Sequence, residues 1–195
     1  MKIVLYGKHT QKTSTWSGGT THELLIAPAH ATMDNRDFTL RISKASVNSS
    51  PSIFTQLNGY HRNLLVIKGC LLAQCNEKEN YLLCPGDEWH FEGSDQVTAK
   101  GTCNDYNVMW KGEGVVHSQM IEIEKSNVYS IDQSVGGQML FFHCDTGKVK
   151  MEILGEEFVL TEGMSLEIDA IKEDLNLMIT AQKESTLILS EILLK

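Results

Sequence analysis

Apolar and polar residues alternate at every second position along most of this chain, a period that admits half-buried β-strands and excludes amphipathic helices. Phe38-Thr39-Leu40-Arg41-Ile42-Ser43 sends Phe38, Leu40 and Ile42 one way and Arg41 and Ser43 the other, because side chains alternate across a strand. Ile121-Glu122-Ile123-Glu124, Lys148-Val149-Lys150-Met151-Glu152-Ile153 and Asp174-Leu175-Asn176-Leu177-Met178-Ile179 repeat the pattern. Gly18-Gly19, Gly69, Gly86, Gly93, Gly101, Gly136-Gly137, Gly155 and Gly163 punctuate these runs and predict turns. The expected class is all-β.

The chain also echoes itself. Tyr81-Leu82-Leu83-Cys84-Pro85-Gly86-Asp87-Glu88-Trp89-His90-Phe91 lines up with Phe158-Val159-Leu160-Thr161-Glu162-Gly163-Met164-Ser165-Leu166-Glu167-Ile168 at a constant offset of 77, and Gly69 lies near Gly147 once one residue is gapped. Two related β modules follow, residues 1–110 and a shorter one at residues 115–195. They are joined at Lys111-Gly112-Glu113-Gly114, which reads as a turn rather than a free linker. A single sandwich with coincidental turn spacing is the alternative. The repeated unit, carried by Leu64-Leu65-Val66-Ile67-Lys68-Gly69 and Leu83-Cys84-Pro85-Gly86-Asp87, resembles the cupin-type β-barrel, or jelly roll. Closing strands into a barrel removes exposed edges and leaves an interior able to hold a ligand.

With 195 residues and 42% hydrophobic content the chain can build a real core, and its net charge of −8 disfavours nucleic acid and anionic membrane surfaces as partners. The longest apolar runs are far shorter than a bilayer span, and the N-terminal patch is too short for a signal peptide, so the expected location is cytoplasmic. Cys70, Cys75, Cys84, Cys103 and Cys144 contain no CxxC pair; in a reducing compartment they read as strand-packing residues.

Metal-binding cupins hold their ion with histidines and a glutamate at set spacings. Counted back from Gly69, the glutamate position falls on Arg62 and the histidine positions on Thr55 and Leu57 or on Gln56 and Asn58; the last histidine falls near Gln96. No metal and no cofactor are expected. An arginine has no lone pair for a cation, but it grips a carboxylate through parallel hydrogen bonds. Arg41 and Arg62 both stand in β-patterned sequence, so a barrel interior would bring their heads together. Asn107 and Met109 share a strand face, Ser43 and Thr55 could add hydroxyls, and Trp16 beside Gly18-Gly19 would form a lid or a staple. A small carboxylate bound by Arg41, Ser43, Thr55, Arg62, Asn107, Met109 and Trp16 is the reading that follows. The bland alternative has both arginines snorkelling outward to surface acids. Glu23 and His61 are weak catalytic candidates, a lone carboxylate and a histidine expected opposite Arg62.

Four stretches in order resemble the HutD/Ves family. Trp16-Ser17-Gly18-Gly19-Thr20-Thr21-His22-Glu23 is similar to its W-x-G-G-x-T segment, and Phe38 to Ala45 to its F-x-W-R strand, with Leu40 where the family usually has tryptophan. Ser52 to Arg62 followed by Leu64 to Gly69 matches its glycine–arginine block, and Phe91-Glu92-Gly93 with Asp105-Tyr106-Asn107-Val108-Met109 its closing elements. The specific motifs cover residues 16 to 110. The resemblance implies a metal-free bicupin and a link, through gene neighbourhood, to histidine utilisation. An accessory or regulatory protein binding formylglutamate, formiminoglutamate or urocanate is then expected. The alternatives are a metal-independent isomerase or hydrolase using His61, Glu23 or Asp105, and a stress-related interaction protein whose exposed β edges serve a homodimer.

Overall fold

The computed structural model describes residues 1–16, 18–48, 51–133, 139–169, 171 and 174–195; the turn expected at Gly136-Gly137, and Ser17 in the first family stretch, lie outside the described residues. The strands are β1 (Lys2–Tyr6), β2 (Lys12–Trp16), β3 (Gly19–Ala27), β4 (Leu40–Val47), β5 (Ser52–Ile53), β6 (His61–Cys75), β7 (Glu79–Leu83), β8 (Glu88–Glu92), β9 (Val97–Trp110), β10 (Gly114–Ile123), β11 (Val128–Gln133), β12 (Met139–Thr146), β13 (Lys148–Ile153), β14 (Glu156–Thr161), β15 (Ser165–Asp169), β16 (Leu175–Ala181) and β17 (Ser185–Leu194). One short 3₁₀ turn, Lys8–Thr10, is the only helical element among the described residues. Among the described residues, no helix is long and apolar enough to cross a membrane.

The chain divides into two compact units, Gln11–Glu113 and Gly114–Lys195 with Met1–Thr10. In the first, strands run in the order β2-β3-β4-β9-β6-β7, with β5 on β9 and β8 on β6. The long β6–β9 ladder, from His61 opposite Trp110 to Cys75 opposite Val97, is its backbone. Gly69 and Gly101, expected as turns, lie inside these continuous strands instead. Both have positive φ, 76° and 119°, and a Cβ would stand 2.3 Å from the Thr102 carbonyl oxygen at Gly69 and 2.4 Å from that of Cys70 at Gly101. With a register shift between Val66 and Lys68, the two glycines let the paired strands bend together.

Two of the cysteines depart from their expected role. The β6–β7 register pairs Leu71 with Leu83, so the next positions outward are Cys70 and Cys84. Their Cα atoms are 4.4 Å apart, the spacing of a non-hydrogen-bonded antiparallel pair, and they form a disulfide. Cys75, Cys103 and Cys144 are free, buried and packed in apolar clusters, as expected.

The second unit holds two sheets, β1-β15-β12-β17-β10 and β11-β16-β13-β14. Between their inward faces lies an apolar core that includes Leu140, Phe142, Met151, Leu166, Leu187 and Leu189. The echo in the sequence is an echo in structure: the spans of β7 and β8, advanced by 77, land on residues 156–160, within β14, and on residues 165–169, the span of β15. β8 pairs with β6 as β15 pairs with β12, and β7 pairs with β6 as β14 pairs with β13. The break between β12 and β13 falls at Gly147. Residues 1–10 differ from the expected boundary, because β1 pairs with β15 and puts Val4 opposite Glu167. Lys2 and Tyr6 are then its diagonal neighbours: the Tyr6 hydroxyl donates to the Glu167 carboxylate, and Lys2 Nζ lies 3.5 Å from it. A buried carboxylate needs such partners, and the first strand supplies them.

Candidate functional site

The first unit holds a half-open cavity of about 330 Å³, floored by β9 with β4 on one side and β6 on the other. The two registers stack its lining in layers. Met109 lies between Arg41 and Arg62, Asn107 between Ser43 and Leu64, and Asp105 between Ala45 and Val66, with Cys103 beside Val47 beyond. The interior therefore passes from two guanidinium groups, through an amide and a hydroxyl, to a carboxyl group and then to apolar wall.

Arg62 is 6% exposed. Its guanidinium lies 4.8 Å from the Phe91 ring centre and 5.4 Å from that of Phe54. Nη2 donates to Asn107 Oδ1 at 3.3 Å and Nη1 to the Thr55 carbonyl at 3.4 Å, while the buried Nε–H has no partner. Burial lowers its pKa to about 10, opposed by Asp105 and aided by the charge of Arg41, so it stays cationic at neutral pH. Arg41 is held by Glu23, whose Oε2 accepts from Nε at 2.9 Å, and Nη1 donates to Ser43 Oγ at 3.2 Å. Glu23 sits opposite Ser43 on β3, next to a register shift before Leu25.

Asp105 is 2% exposed. Asn107 Nδ2 donates to its Oδ1, and the Cys103 thiol lies 3.6 Å from Oδ2. Burial raises its pKa to about 7 against the lowering effects of Cys103, Arg62 and Asn107. Because the folded chain holds this proton more tightly than the unfolded one, the stabilisation is complete below pH ~4 and lost as pH rises to ~7. Relative to Asp105→Asn, the wild type is expected to lose on the order of a few kcal/mol across that window and then level off. Urea titrations of both proteins at several pH values check this; parallel curves would contradict it.

At the mouth, Trp16 Nε1 donates to Thr21 Oγ1 at 3.2 Å, and a Cβ on Gly18 would stand 1.7 Å from the Trp16 ring. Glycine there lets the indole fold back over its hairpin and line the cavity.

All seven residues anticipated for binding, Arg41, Ser43, Thr55, Arg62, Asn107, Met109 and Trp16, line this one cavity. The two weak catalytic candidates do not: Glu23 is engaged by Arg41, and His61 points from the other face of β6, its Nδ1 2.9 Å from Glu92 Oε1. Phe54 and Phe91 went unanticipated as the cradle of Arg62, as did the place of Asp105 in the lining. Asp105 was legible, since it shares the alternation of Asn107 and Met109.

A divalent metal does not fit. The lining offers Asp34 and Asp105 as carboxylates and neither histidine nor cysteine, and a guanidinium stands at the acid position. Among the described residues that line the cavity, no three metal-ligating side chains converge.

The second unit shows what the topology requires. Through the Gly69–Gly147 correspondence the pair Leu64–Asn107 becomes Phe142–Leu189, and Val66–Asp105 becomes Cys144–Leu187, with Leu140 in the place of Arg62. Leu140 and Leu187 are fully buried. The same ladder closes on leucine, so the polar interior of the first unit is not a demand of the fold.

Fold and lining together define a bicupin, one barrel with an apolar core and the other with a polar, arginine-lined cavity in place of a metal site. The HutD family model matches residues 8–189, and the chain belongs to the HutD family, the group linked to histidine utilisation. The conserved protein of unknown function PA5104 from Pseudomonas aeruginosa PAO1 has a similar structure, with a TM-score of 0.82 at 17% identity over 99% of this chain and 100% of that one. HutD from Pseudomonas fluorescens SBW25 is similar over 100% of both chains, with a TM-score of 0.71 and 22% identity. The bacterial pirin YhhW from Escherichia coli, solved in complex with nickel(II), has a TM-score of 0.69 at 10% identity over 100% of both chains. No curated protein matches the chain.

Proposed function

We propose that the first barrel binds a small carboxylate between Arg62 and Arg41, and that the protein serves histidine catabolism as an accessory or regulatory component. The observation that carries this reading is a buried arginine, its Nε–H unpartnered, lining a cavity whose counterpart positions in the same chain are buried leucines. Leaving a buried charged donor unsatisfied costs more than folding gains from it, so a bound anion is the economical occupant. The candidate ligands are formylglutamate, formiminoglutamate and urocanate. The proposal places the protein in the cytoplasm, without nucleic acid or membrane partners, and as a homodimer.

A ligand that binds only the folded chain raises its stability by ~2.7 kcal/mol at a hundredfold excess over Kd. Thermal melts with each carboxylate are expected to rise by about 5–10 °C for the true ligand. They should not move in Arg62→Met, which keeps the apolar stem without the charge. Equal shifts in both proteins would refute the site. A second reading takes Asp105 as a general acid or base: it lines the cavity, and burial pushes its carboxyl up to about 7, a value suited to proton transfer at neutral pH. Product formation from the same compounds, followed by NMR and lost in Asp105→Asn, would select it.

A further inference from the structure

We infer that Asp105 is the second recognition group of this cavity, and that the ligand is a short carboxylate whose far end carries an N–H donor. The inference rests on the carboxylate reading and narrows it to a chemical class. Arg62 and Asp105 line the same cavity and are joined through one amide, that of Asn107, so the anion-binding and acceptor ends are one side chain apart. An ionised carboxylate accepts about four hydrogen bonds. Asp105 receives one from Asn107 and one from the thiol of Cys103 on its own strand, which leaves acceptor capacity toward the cavity. The other charged groups around this space are Arg62 on β6, Arg41 on β4 with Glu23 behind it, and the exposed Asp34 from the segment between β3 and β4.

Three ligand types meet this arrangement differently. A dicarboxylate sets its second anion against Asp105, an apolar tail leaves the buried carboxyl unsatisfied, and an N–H group completes its hydrogen bonds. The counterpart of Asp105 in the second unit is the fully buried Leu187, so the barrel has no structural need of a carboxyl group there.

Two probes built on the same succinyl chain separate these cases. Succinamate carries a carboxylate and a terminal amide N–H, whereas monomethyl succinate carries the same carboxylate and an acceptor-only ester, and neither titrates between pH 6 and 8. Calorimetric titration of the full chain is expected to favour succinamate by about tenfold, the value of a hydrogen bond to a charged group. The preference should grow from pH 6 to pH 8 as Asp105 ionises. Asp105→Leu reduces it to less than about twofold while monomethyl succinate still binds, and Arg62→Met loses both compounds. Should the leucine variant fail to fold, Asp105→Asn takes its place, with a preference that no longer varies with pH. Equal affinities in the wild type, or a preference untouched by either variant, would overturn the inference and leave the anion site standing. No binding of either probe to the wild type would overturn the carboxylate reading and the inference together.

Discussion

Arg62→Met, Asp105→Leu and Asn107→Leu, made together, are expected to raise the stability of the chain by about 1–4 kcal/mol while abolishing its response to carboxylates. The three changes copy the leucine-lined interior of the second unit, where Leu187 and Leu189 occupy the positions of Asp105 and Asn107. Bringing ions out of water costs several kcal/mol each, and their attraction repays this only when every hydrogen bond is satisfied. Here it is not: Arg62 Nε is unpartnered, and burial holds Asp105 near half-protonation at neutral pH. Removing Arg62 alone is a different perturbation. Arg62→Ala leaves a void beside Phe54 and Phe91 and an uncompensated Asp105, and should cost about 3 kcal/mol. Urea unfolding of the triple and single variants reads both effects. A triple variant less stable than the wild type would mean that the polar lining supports the fold.

The second large effect concerns the bend that brings the lining together. Gly69→Ala should destabilise the chain by about 3 kcal/mol or more, because it adds left-handed strain and drives a Cβ to 2.3 Å from the Thr102 carbonyl oxygen. Gly86→Ala is the control. Its φ of 89° is equally left-handed, but a Cβ there meets nothing within 4 Å, so it should cost only about 1–2 kcal/mol. Similar losses in the two variants would show that backbone strain alone, and not the close approach of β6 to β9, makes Gly69 necessary.

How much of this was legible follows from what is local. Alternation at period two placed Arg41 with Ser43, and Asn107 with Met109, on single strand faces, and the structure keeps both pairs on the cavity side. Arg62 was found by counting from Gly69 to an acid position, a spacing argument that needs no knowledge of pairing. What depends on the partner strand could not be read. The Cys70–Cys84 bond is a matter of β6–β7 register, and the move of residues 1–10 into the second unit depends on Glu167, far along the chain. Gly69 and Gly101 looked like turns because a glycine within a bent strand and a glycine between two strands give the same local signal. The Phe54 and Phe91 faces around Arg62 come from separate segments and meet only in the folded barrel.

The account stands on a buried guanidinium acting as an anion receptor, and a crystal structure grown with millimolar succinamate views that directly. The expected density places the carboxylate against the Arg62 guanidinium, with Arg41 closing the other side. A cavity holding water alone, with succinamate only on surface lysines, would contradict it.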